Sequence, residues 1–208
     1  MSYCNWDKAS LICKKYHDEE WGVPVFDDRM QFEYLMMEVM QCGLSWNIVI
    51  NKRETFRKCF DNFEFDKIAS YNEKDIEKIM NYPDMIKSKR KIEAIINNAK
   101  CFQKIREEFG SFCKYLWNYS DNKTILYDKH NEGYIPSSNG LSDIIAKDLK
   151  RRGFKFLGSI TIYSHLQAAG IINDHDKNCP RYIFVNSSYP TVKKRRYKEY
   201  NVMCFKDN

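Results

Sequence analysis

The sequence predicts an all-α protein, and two patterns carry this prediction. Apolar residues recur mostly three or four positions apart, which is the spacing of one helix face. No stretch alternates strongly enough between apolar and polar residues to predict a sheet. The chain has 208 residues, of which 43% are hydrophobic, so it is long enough to bury one sizeable core. We therefore expect a compact helical bundle.

The first strong helix carries an apolar stripe over residues 32–40, with Asp27 or Asp28 as its N-cap. Gly43 breaks this pattern, and Ser45 is placed to cap the next helix. The remaining helices are expected, in chain order, after Asp66, after Asn72, over 86–105, over 141–149 and over 159–169.

Two polar stretches interrupt or follow these helices. Residues 121–139 are turn-rich and are expected to form a long connection. We expect one domain over residues 1–182 and a basic, loosely ordered tail over 183–208, which contains the run Lys193–Arg196.

Composition excludes several classes of protein. No run approaches the roughly 18 apolar residues of a membrane span. The first residues lack a basic start followed by an apolar stretch, so we expect no secretory signal and a cytoplasmic location. The eight cysteines are then expected to be buried thiols or metal ligands rather than disulfides. A net charge of +6 permits a polyanionic partner without requiring one.

Two Cys–His pairs suggest a metal site. Cys4 and His17 lie near one end of the chain, and His175 and Cys179 lie near the other. Two thiolates and two imidazoles satisfy tetrahedral zinc and leave no open position, which is the pattern of structural sites. Spacing alone leaves the alternative that these four are unrelated polar and core residues.

An acidic residue and several aromatic residues indicate a ligand pocket. Trp6, Trp21 and Trp46 lie within the first 46 residues, and Tyr16 lies among them. Glu38 lies within the apolar helix, where a carboxylate is costly unless it is paired or functional. Together they suit a flat, polar or cationic ligand. The alternatives are an aromatic core and a Glu38 paired with Lys or Arg.

Two basic clusters indicate contact with phosphate. Residues 87–91 open the long helix, and together with the helix over 72–80 they resemble a helix-hairpin-helix. Residues 150–155 form the second cluster. Each cluster alone is more often a solvated face. Beside an aromatic and acidic pocket, they suit an enzyme that binds the DNA backbone and flips out a base.

Several collinear segments resemble the bacterial 3-methyladenine DNA glycosylase I family, over roughly residues 1–182. The segments are YHDEEWGVP at 16–24, GLSW at 43–46 followed by KRE at 52–54, KIEAIINNA at 91–99, KRRGFKFLG at 150–158 and QAAGIINDH at 167–175.

This resemblance implies a helix-hairpin-helix glycosylase fold with one structural zinc that joins the N- and C-terminal segments. The family's zinc ligands fall on the two Cys–His pairs named above. Its base-binding carboxylate falls on Glu38, its stacking aromatics on Tyr16 and Trp46, and two further pocket aromatics on Trp6 and Trp21.

The chain departs from the family at two positions of interest. Cys13 stands where many relatives carry a pocket tyrosine. Asp84 precedes the paired Met85 and Ile86 of the hairpin, where relatives commonly have glycine. We expect Asp84 to adopt the left-handed turn conformation at some cost.

The activity implied by the resemblance is monofunctional hydrolysis of the N-glycosidic bond of 3-methyladenine in DNA, which leaves an abasic site. Glu38 is expected to accept hydrogen bonds from the N6 edge of the base, with Tyr16 and Trp46 sandwiching its ring. Leu44, at the tip of the turn after the first strong helix, is expected to fill the space left by the flipped base.

The expected partners are double-stranded DNA with alkylated bases, 3-methyladenine as the released product, and no membrane; we expect a monomer. The residues expected to contact DNA phosphates are Lys87, Lys89, Lys91, Arg151 and Arg152. One alternative is a catalytically impaired DNA-binding protein on the same fold. Another is a zinc-containing enzyme that acts on free nucleobases and whose binding is nearly independent of salt.

Overall fold

The computed structural model describes Cys4, residues 10–127 and residues 135–194. These parts of the chain contain eleven α-helices and two short strands. The helices are α1 (Leu11–Glu19), α2 (Asp28–Gln41), α3 (Trp46–Asn51), α4 (Arg53–Cys59), α5 (Phe65–Ile68), α6 (Glu73–Met80), α7 (Lys89–Phe109), α8 (Phe112–Asn118), α9 (Gly140–Arg151), α10 (Ser159–Ala168) and α11 (Pro180–Ser188). The strands are β1 (Thr124–Tyr127) and β2 (Thr191–Lys194). The predicted helical class is confirmed, and no helix in the described residues is long and apolar enough to cross a bilayer.

Helix α2 lies at the centre of the molecule. Its N-cap is Asp27, whose side chain accepts a hydrogen bond from the backbone N–H of Met30, as the sequence predicts. Every residue from Gln31 to Met40 is buried, because α3, α7, α8 and α10 all pack against this helix. Glu38 therefore lies inside the protein, near the C-terminal end of α2.

Helices α6 and α7 pack against each other and are joined by a short connection that contains Asp84. Asn72 and Asp75 form a capping box at the start of α6. Asp84 in the turn has φ 63°, which confirms its predicted left-handed conformation. Lys52, at the junction of α3 and α4, binds the Asp84 carboxylate and donates to its carbonyl oxygen at 2.8 Å. This contact ties the hairpin turn to the region of Trp46.

A small parallel sheet is the main difference from the predicted fold. β1 pairs with β2 in the register Thr124↔Thr191, and both strands have only four residues. β1 lies within the stretch predicted to be a connection. A four-residue strand that is buried along most of its length carries too little alternation to be recognised from sequence.

The predicted boundary at residue 182 is not a structural break. α11 runs through it to Ser188, and β2 continues the ordered chain to Lys194. Residues 183–194 of the predicted tail therefore belong to α11 and β2 or lie between them, and the division into a domain and a tail stays a prediction. Residues 195–208 lie outside the described residues.

The chain after α1 packs closely against the end of α10. The N–H of Gly22 donates to the carbonyl oxygen of Ala168 at 3.3 Å, and that of Val25 donates to Ala169 at 3.1 Å. Gly170 has φ +74°, and a Cβ there would lie 2.4 Å from the backbone nitrogen of Pro24. Only glycine permits this approach, which brings α1 beside the segment carrying His175 and Cys179.

Candidate active site and metal centre

A cavity of about 480 Å³ opens between α1, α2, α3 and α10. Its lining residues are Cys13, Tyr16, Trp21, Glu38, Gln41, Ser45, Trp46, Asn47, Ile135, Ser164 and Gln167. The structure thus brings together four of the five residues predicted for the base pocket. The fifth, Trp6, lies outside the described residues.

Glu38 presents its carboxyl group to this cavity from the last turns of α2. The side chain is 6% exposed, and burial raises its pKa to about 8. In the part of the chain that the structure describes, no Lys or Arg forms an ion pair with it. The predicted alternative of a structural ion pair therefore finds no support here, and the carboxyl group is available to a ligand.

Tyr16 and Trp46 lie side by side on one wall of the cavity. Their ring centroids are 5.2 Å apart, and the ring planes are inclined by 44°. A flat base held between two parallel rings needs about 7 Å between them, twice a van der Waals contact distance. In this arrangement the two rings are in contact and offer one continuous surface, and the sandwich around a base stays a prediction.

An ion-pair network centred on Arg53 contacts the Tyr16 ring of this wall. The Arg53 guanidinium lies 5.9 Å from the centroid of the Tyr16 ring and donates to the carboxylates of Glu33 at 2.6 Å and Glu20 at 2.8 Å. Burial acts to raise the pKa of Glu33, but Arg53, Arg29 and Arg57 together hold it below its ordinary value. Sequence analysis missed this network; the signal was Arg29 and Glu33 one turn apart on an otherwise apolar helix.

Polar groups that sequence analysis also missed line the rest of the cavity. The Cys13 thiol lies 3.6 Å from the side-chain oxygen of Asn47. On the opposite side, the Gln167 amide donates to Asp174 at 2.6 Å and is thereby oriented. Gln167 and Ser164 reach the pocket only because α10 packs on α2, more than a hundred residues away in sequence.

The turn between α2 and α3 lies at the mouth of the cavity. Gly43 has φ +79°, and the following Leu44 is 36% exposed, so the turn presents an apolar side chain to solvent. The Cys42 thiol anchors this turn, lying 3.8 Å from the carbonyl oxygen of Phe156 and 3.8 Å from the Thr161 hydroxyl.

Lys91 has a different role from the one predicted. Its side chain is buried, and its ammonium group donates to the carbonyl oxygens of Met40 and Cys42, both at 2.7 Å. It therefore closes the C-terminal end of α2 and is not available to a phosphate. The prediction of a DNA contact is wrong for Lys91, because the long side chain points into the protein rather than along the helix surface.

The other predicted phosphate contacts lie on the surface and differ in the ion pairs that their side chains form. Lys87 is exposed and forms no ion pair within the described residues. Lys89 pairs with Glu73, and Arg151 pairs with Asp148. Arg152 is held by two carboxylates, those of Glu108 and Asp148. Contact of these four side chains with DNA stays a prediction.

The predicted metal ligands form one buried cluster. The ligand atoms of Cys4, His17, His175 and Cys179 all lie within 4.8 Å of one another. Three of the S–N separations are 3.7 Å: Cys4 to His175, Cys179 to His175 and Cys179 to His17. In a tetrahedral zinc site, the bond lengths place sulfur and nitrogen ligands about 3.5 Å apart. The donor set and its spacing therefore fit zinc.

Groups around the cluster orient both imidazoles. His17 directs Nε2 to the cluster, while its Nδ1 lies 2.8 Å from a carboxylate oxygen of Asp18. His175 directs Nδ1 to the cluster, while its Nε2 lies 3.0 Å from the carbonyl oxygen of Trp21. Such outer partners fix the ring orientation of metal-binding histidines. Gly22 is required beside them, because a Cβ there would lie 2.7 Å from Nε2 of His175.

Comparison with known proteins identifies the family of this chain. Residues 6–182 match the family model described as methyladenine glycosylase. DNA-3-methyladenine glycosylase 1 of Escherichia coli (strain K12) is 37% identical over 179 residues, which are 86% of this chain and 96% of that protein. DNA-3-methyladenine glycosylase of Haemophilus influenzae (strain ATCC 51907 / DSM 11121 / KW20 / Rd) is 36% identical, over 85% of this chain and 96% of that protein.

Solved structures give the same result. A variant of 3-methyladenine DNA glycosylase I in complex with 3-methyladenine superposes with a TM-score of 0.82 at 35% identity, covering 86% of this chain and 97% of that chain. The Staphylococcus aureus enzyme studied for 3-methyladenine recognition superposes with a TM-score of 0.81 at 36% identity, covering 86% and 96%. The chain therefore belongs to the methyladenine glycosylase family.

Proposed function

We propose that this protein is a DNA-3-methyladenine glycosylase, which flips N3-methylated adenine out of duplex DNA and hydrolyses its N-glycosidic bond. The observation that carries this proposal is the buried carboxyl group of Glu38, which has no Lys or Arg partner among the described residues and lies beside the Tyr16–Trp46 wall in a cavity large enough for a purine. The family membership and the solved complex with 3-methyladenine support the choice of base.

The chemistry of the lesion explains why such a pocket suffices. Methylation at N3 places a positive charge on the base, so the base leaves as a neutral molecule and the intrinsic barrier is already lowered. The damaged base also pairs and stacks less well, which reduces the cost of flipping it. The enzyme then needs mainly to hold the flipped base and to stabilise the positive charge that passes from the base to the sugar as the bond breaks.

Glu38 favours binding of a cationic base over binding of unmethylated adenine. Its raised pKa means that the free enzyme carries a largely neutral acid at pH 7. A cationic base beside the carboxyl group favours the ionised form, so binding is coupled to release of the proton. The carboxylate then accepts hydrogen bonds from the N6 amino group of the base. Unmethylated adenine brings no such charge and has to bear the cost of ionising Glu38.

The residues of the metal cluster are proposed to hold one zinc ion. With four protein ligands such an ion has no open position, and it supplies a cross-link rather than a reactive water. Cys4 and His17 flank the start of the chain that leads into the pocket wall, while His175 and Cys179 follow α10. The cluster therefore holds α1 against α10, the two helices on opposite sides of the cavity.

Double-stranded DNA is the proposed macromolecular partner, and released 3-methyladenine is the product. Lys87 and the cations of the second basic cluster are proposed to face the phosphates, with Leu44 in the gap left by the base. We propose that the protein acts as a monomer in the cytoplasm, where its DNA substrate lies, and that it leaves an abasic site without cutting the strand.

The deciding experiment measures release of bases from methylated duplex DNA by chromatography. We expect wild type to release 3-methyladenine and Glu38→Gln to release it far more slowly. Glu107→Gln, an exposed position on α7, serves as the matched control and should act like wild type. If folded wild type releases no base, the hydrolytic function is wrong and the binding-only alternative stands. Release unaffected by Glu38→Gln keeps the activity and rejects the role of Glu38.

A further inference from the structure

A second exposed apolar residue lies beside Leu44 at the mouth of the cavity. Ile160, in the first turn of α10, is 61% exposed. Its neighbour Thr161 and the loop residue Phe156 both contact the Cys42 thiol, so the start of α10 adjoins the turn that carries Leu44. Two large apolar side chains thus project to solvent on either side of this contact.

Ile160 also shares a helix face with the pocket. Ser164 and Gln167 both line the cavity, and they follow Ile160 by four and seven residues. Residues at this spacing lie along one face of an α-helix. Ile160 therefore lies one helical turn beyond the part of α10 that lines the cavity. Leu44 has a similar position, since it lies in the turn just before the α3 residues that line the cavity.

Helix α7 holds the loop that leads into α10, the helix that carries Ile160. Asn98 of α7 accepts from the backbone N–H of Lys155 at 2.8 Å and donates to the Lys155 carbonyl oxygen at 3.0 Å. Asn97 donates to the carbonyl oxygen of Gly153 at 2.8 Å. The backbone before Ile160 is therefore already ordered, so little further backbone entropy is lost when Ile160 contacts a partner.

The charges around Ile160 indicate the nature of that partner. Lys155 is exposed, and so is Arg90, whose guanidinium lies 5.8 Å from the centroid of the Phe156 ring. Cations near an apolar side chain match duplex DNA, whose phosphates lie on the outside and whose apolar base faces become accessible where a base step is unstacked. DNA-bending proteins insert apolar side chains between such base steps.

We propose that Ile160 is a second wedge residue, which inserts against the base pairs next to the lesion while Leu44 occupies the space left by the flipped base. This inference rests on the proposed glycosylase function. Two wedges borne by different elements, one on the α2–α3 turn and one on α10, act on the two sides of the opened step. Ile160 touches the duplex and not the flipped base, so its contribution belongs to opening the DNA and not to holding the product.

The test compares Ile160→Ser with Ile183→Ser, because Ile183 on α11 is also 61% exposed. We expect Ile160→Ser to lower kcat/KM for release of 3-methyladenine from duplex DNA roughly tenfold, the scale of losing one buried isoleucine contact. Affinity for free 3-methyladenine, measured by calorimetry, should equal that of wild type. Ile183→Ser should match wild type in both measurements.

A direct readout of wedging uses 2-aminopurine placed next to the lesion. Wild type and Ile183→Ser should raise its fluorescence on binding, because the base is unstacked, and Ile160→Ser should raise it much less. Equal fluorescence and equal duplex activity for all three proteins would overturn the proposal. Equal duplex activity with altered self-association in sedimentation would instead assign this face to protein contacts. A wild-type protein that releases no base contradicts the glycosylase function itself, whatever Ile160 does.

Discussion

The ammonium group of Lys91 lies 2.7 Å from the carbonyl oxygen of Met40, and this contact joins the start of α7 to the end of α2. Its second acceptor is Cys42, in the turn that carries Leu44. A positive charge at a helix C-terminus is favourable, and it also satisfies carbonyl groups that have no partner within the helix. Lys91 therefore links the hairpin to the position of Glu38.

Replacing Lys91 tests this link. We expect Lys91→Met to lower the free energy of unfolding by about 2 kcal/mol, because hydrogen bonds to charged groups are worth roughly 1.5–3 kcal/mol and two carbonyls lose their donor. Urea unfolding provides the measurement. Lys87→Met, four residues earlier and exposed, is the control and should change stability by less than about 0.5 kcal/mol. Equal stabilities would show that the buried ammonium contributes nothing.

The same two variants separate phosphate contact from internal structure. If exposed Lys87 binds a phosphate, Lys87→Met should reduce the salt dependence of duplex affinity by about one unit of slope in log K against log salt. Lys91→Met should leave that slope unchanged, since its charge already lies inside the protein. Fluorescence anisotropy with labelled duplex DNA at several salt concentrations measures both. A smaller salt dependence for Lys91→Met alone would show that Lys91, and not Lys87, contacts a phosphate.

Stability should depend on the ionisation of Glu38. Its pKa is about 8 in the folded protein and 4.5 ordinarily, so folding disfavours the charged form. The penalty is absent below pH 4.5 and grows as the pH rises toward 8. We therefore expect Glu38→Gln to be more stable than wild type by about 3 kcal/mol at pH 7 and to equal it near pH 4. Urea unfolding of both proteins, with Glu107→Gln as control, checks the sign. A variant less stable than wild type at pH 7 would show that the carboxylate is stabilised by contacts in the fold.

Removal of a metal ligand should lower stability. We expect about one zinc per chain in wild type, and Cys179→Ser should lower both the zinc content and the Tm. Cys101→Ser, at another buried thiol, should retain the metal. Elemental analysis and thermal unfolding provide the two measurements. Wild type that is free of metal, with the Tm of Cys179→Ser unchanged, would contradict the cross-link.

The aromatic wall makes a separate prediction for product binding. Trp46→Ala should lose roughly 1–3 kcal/mol of affinity for free 3-methyladenine, the range measured for stacking of a base on an aromatic ring. Phe26→Ala is a suitable control, because Phe26 is 59% exposed and stacks on Trp117 rather than on the cavity wall. Calorimetric titration with the free base gives the comparison. Unchanged affinity for Trp46→Ala would remove this ring from the binding surface.

The helix N-caps and the turn conformation that were predicted correctly depend on residues close together in the sequence. Asp27 and Asn72 act as N-caps in the structure, because a short side-chain acceptor before an apolar run satisfies free backbone N–H groups within a few residues. The left-handed turn at Asp84 is equally local. The four residues predicted to bind a metal are a special case, since residue type and family resemblance grouped them across the whole chain and the structure places their ligand atoms within 4.8 Å of one another.

What could not be predicted depends on packing between distant segments. Lys91 was placed at a phosphate because its neighbours are basic, and only the approach of α2 turns its side chain inward. The 44° angle between the Tyr16 and Trp46 rings could not be predicted either, because it follows from how α1 and α3 pack. Pairing of β1 with β2 joins segments more than sixty residues apart, which no local pattern reports.

The cluster of Cys4 and His175 has a consequence for biosynthesis. These residues lie 171 positions apart along the chain, and both must be present before a metal can join them. A ribosome delivers the N-terminal residues first, so α1 has to wait for α10 and the segment after it to emerge. We expect the wall that carries Tyr16 to reach its final place last, which means that an unfinished chain folds its α6–α7 hairpin before its pocket is complete.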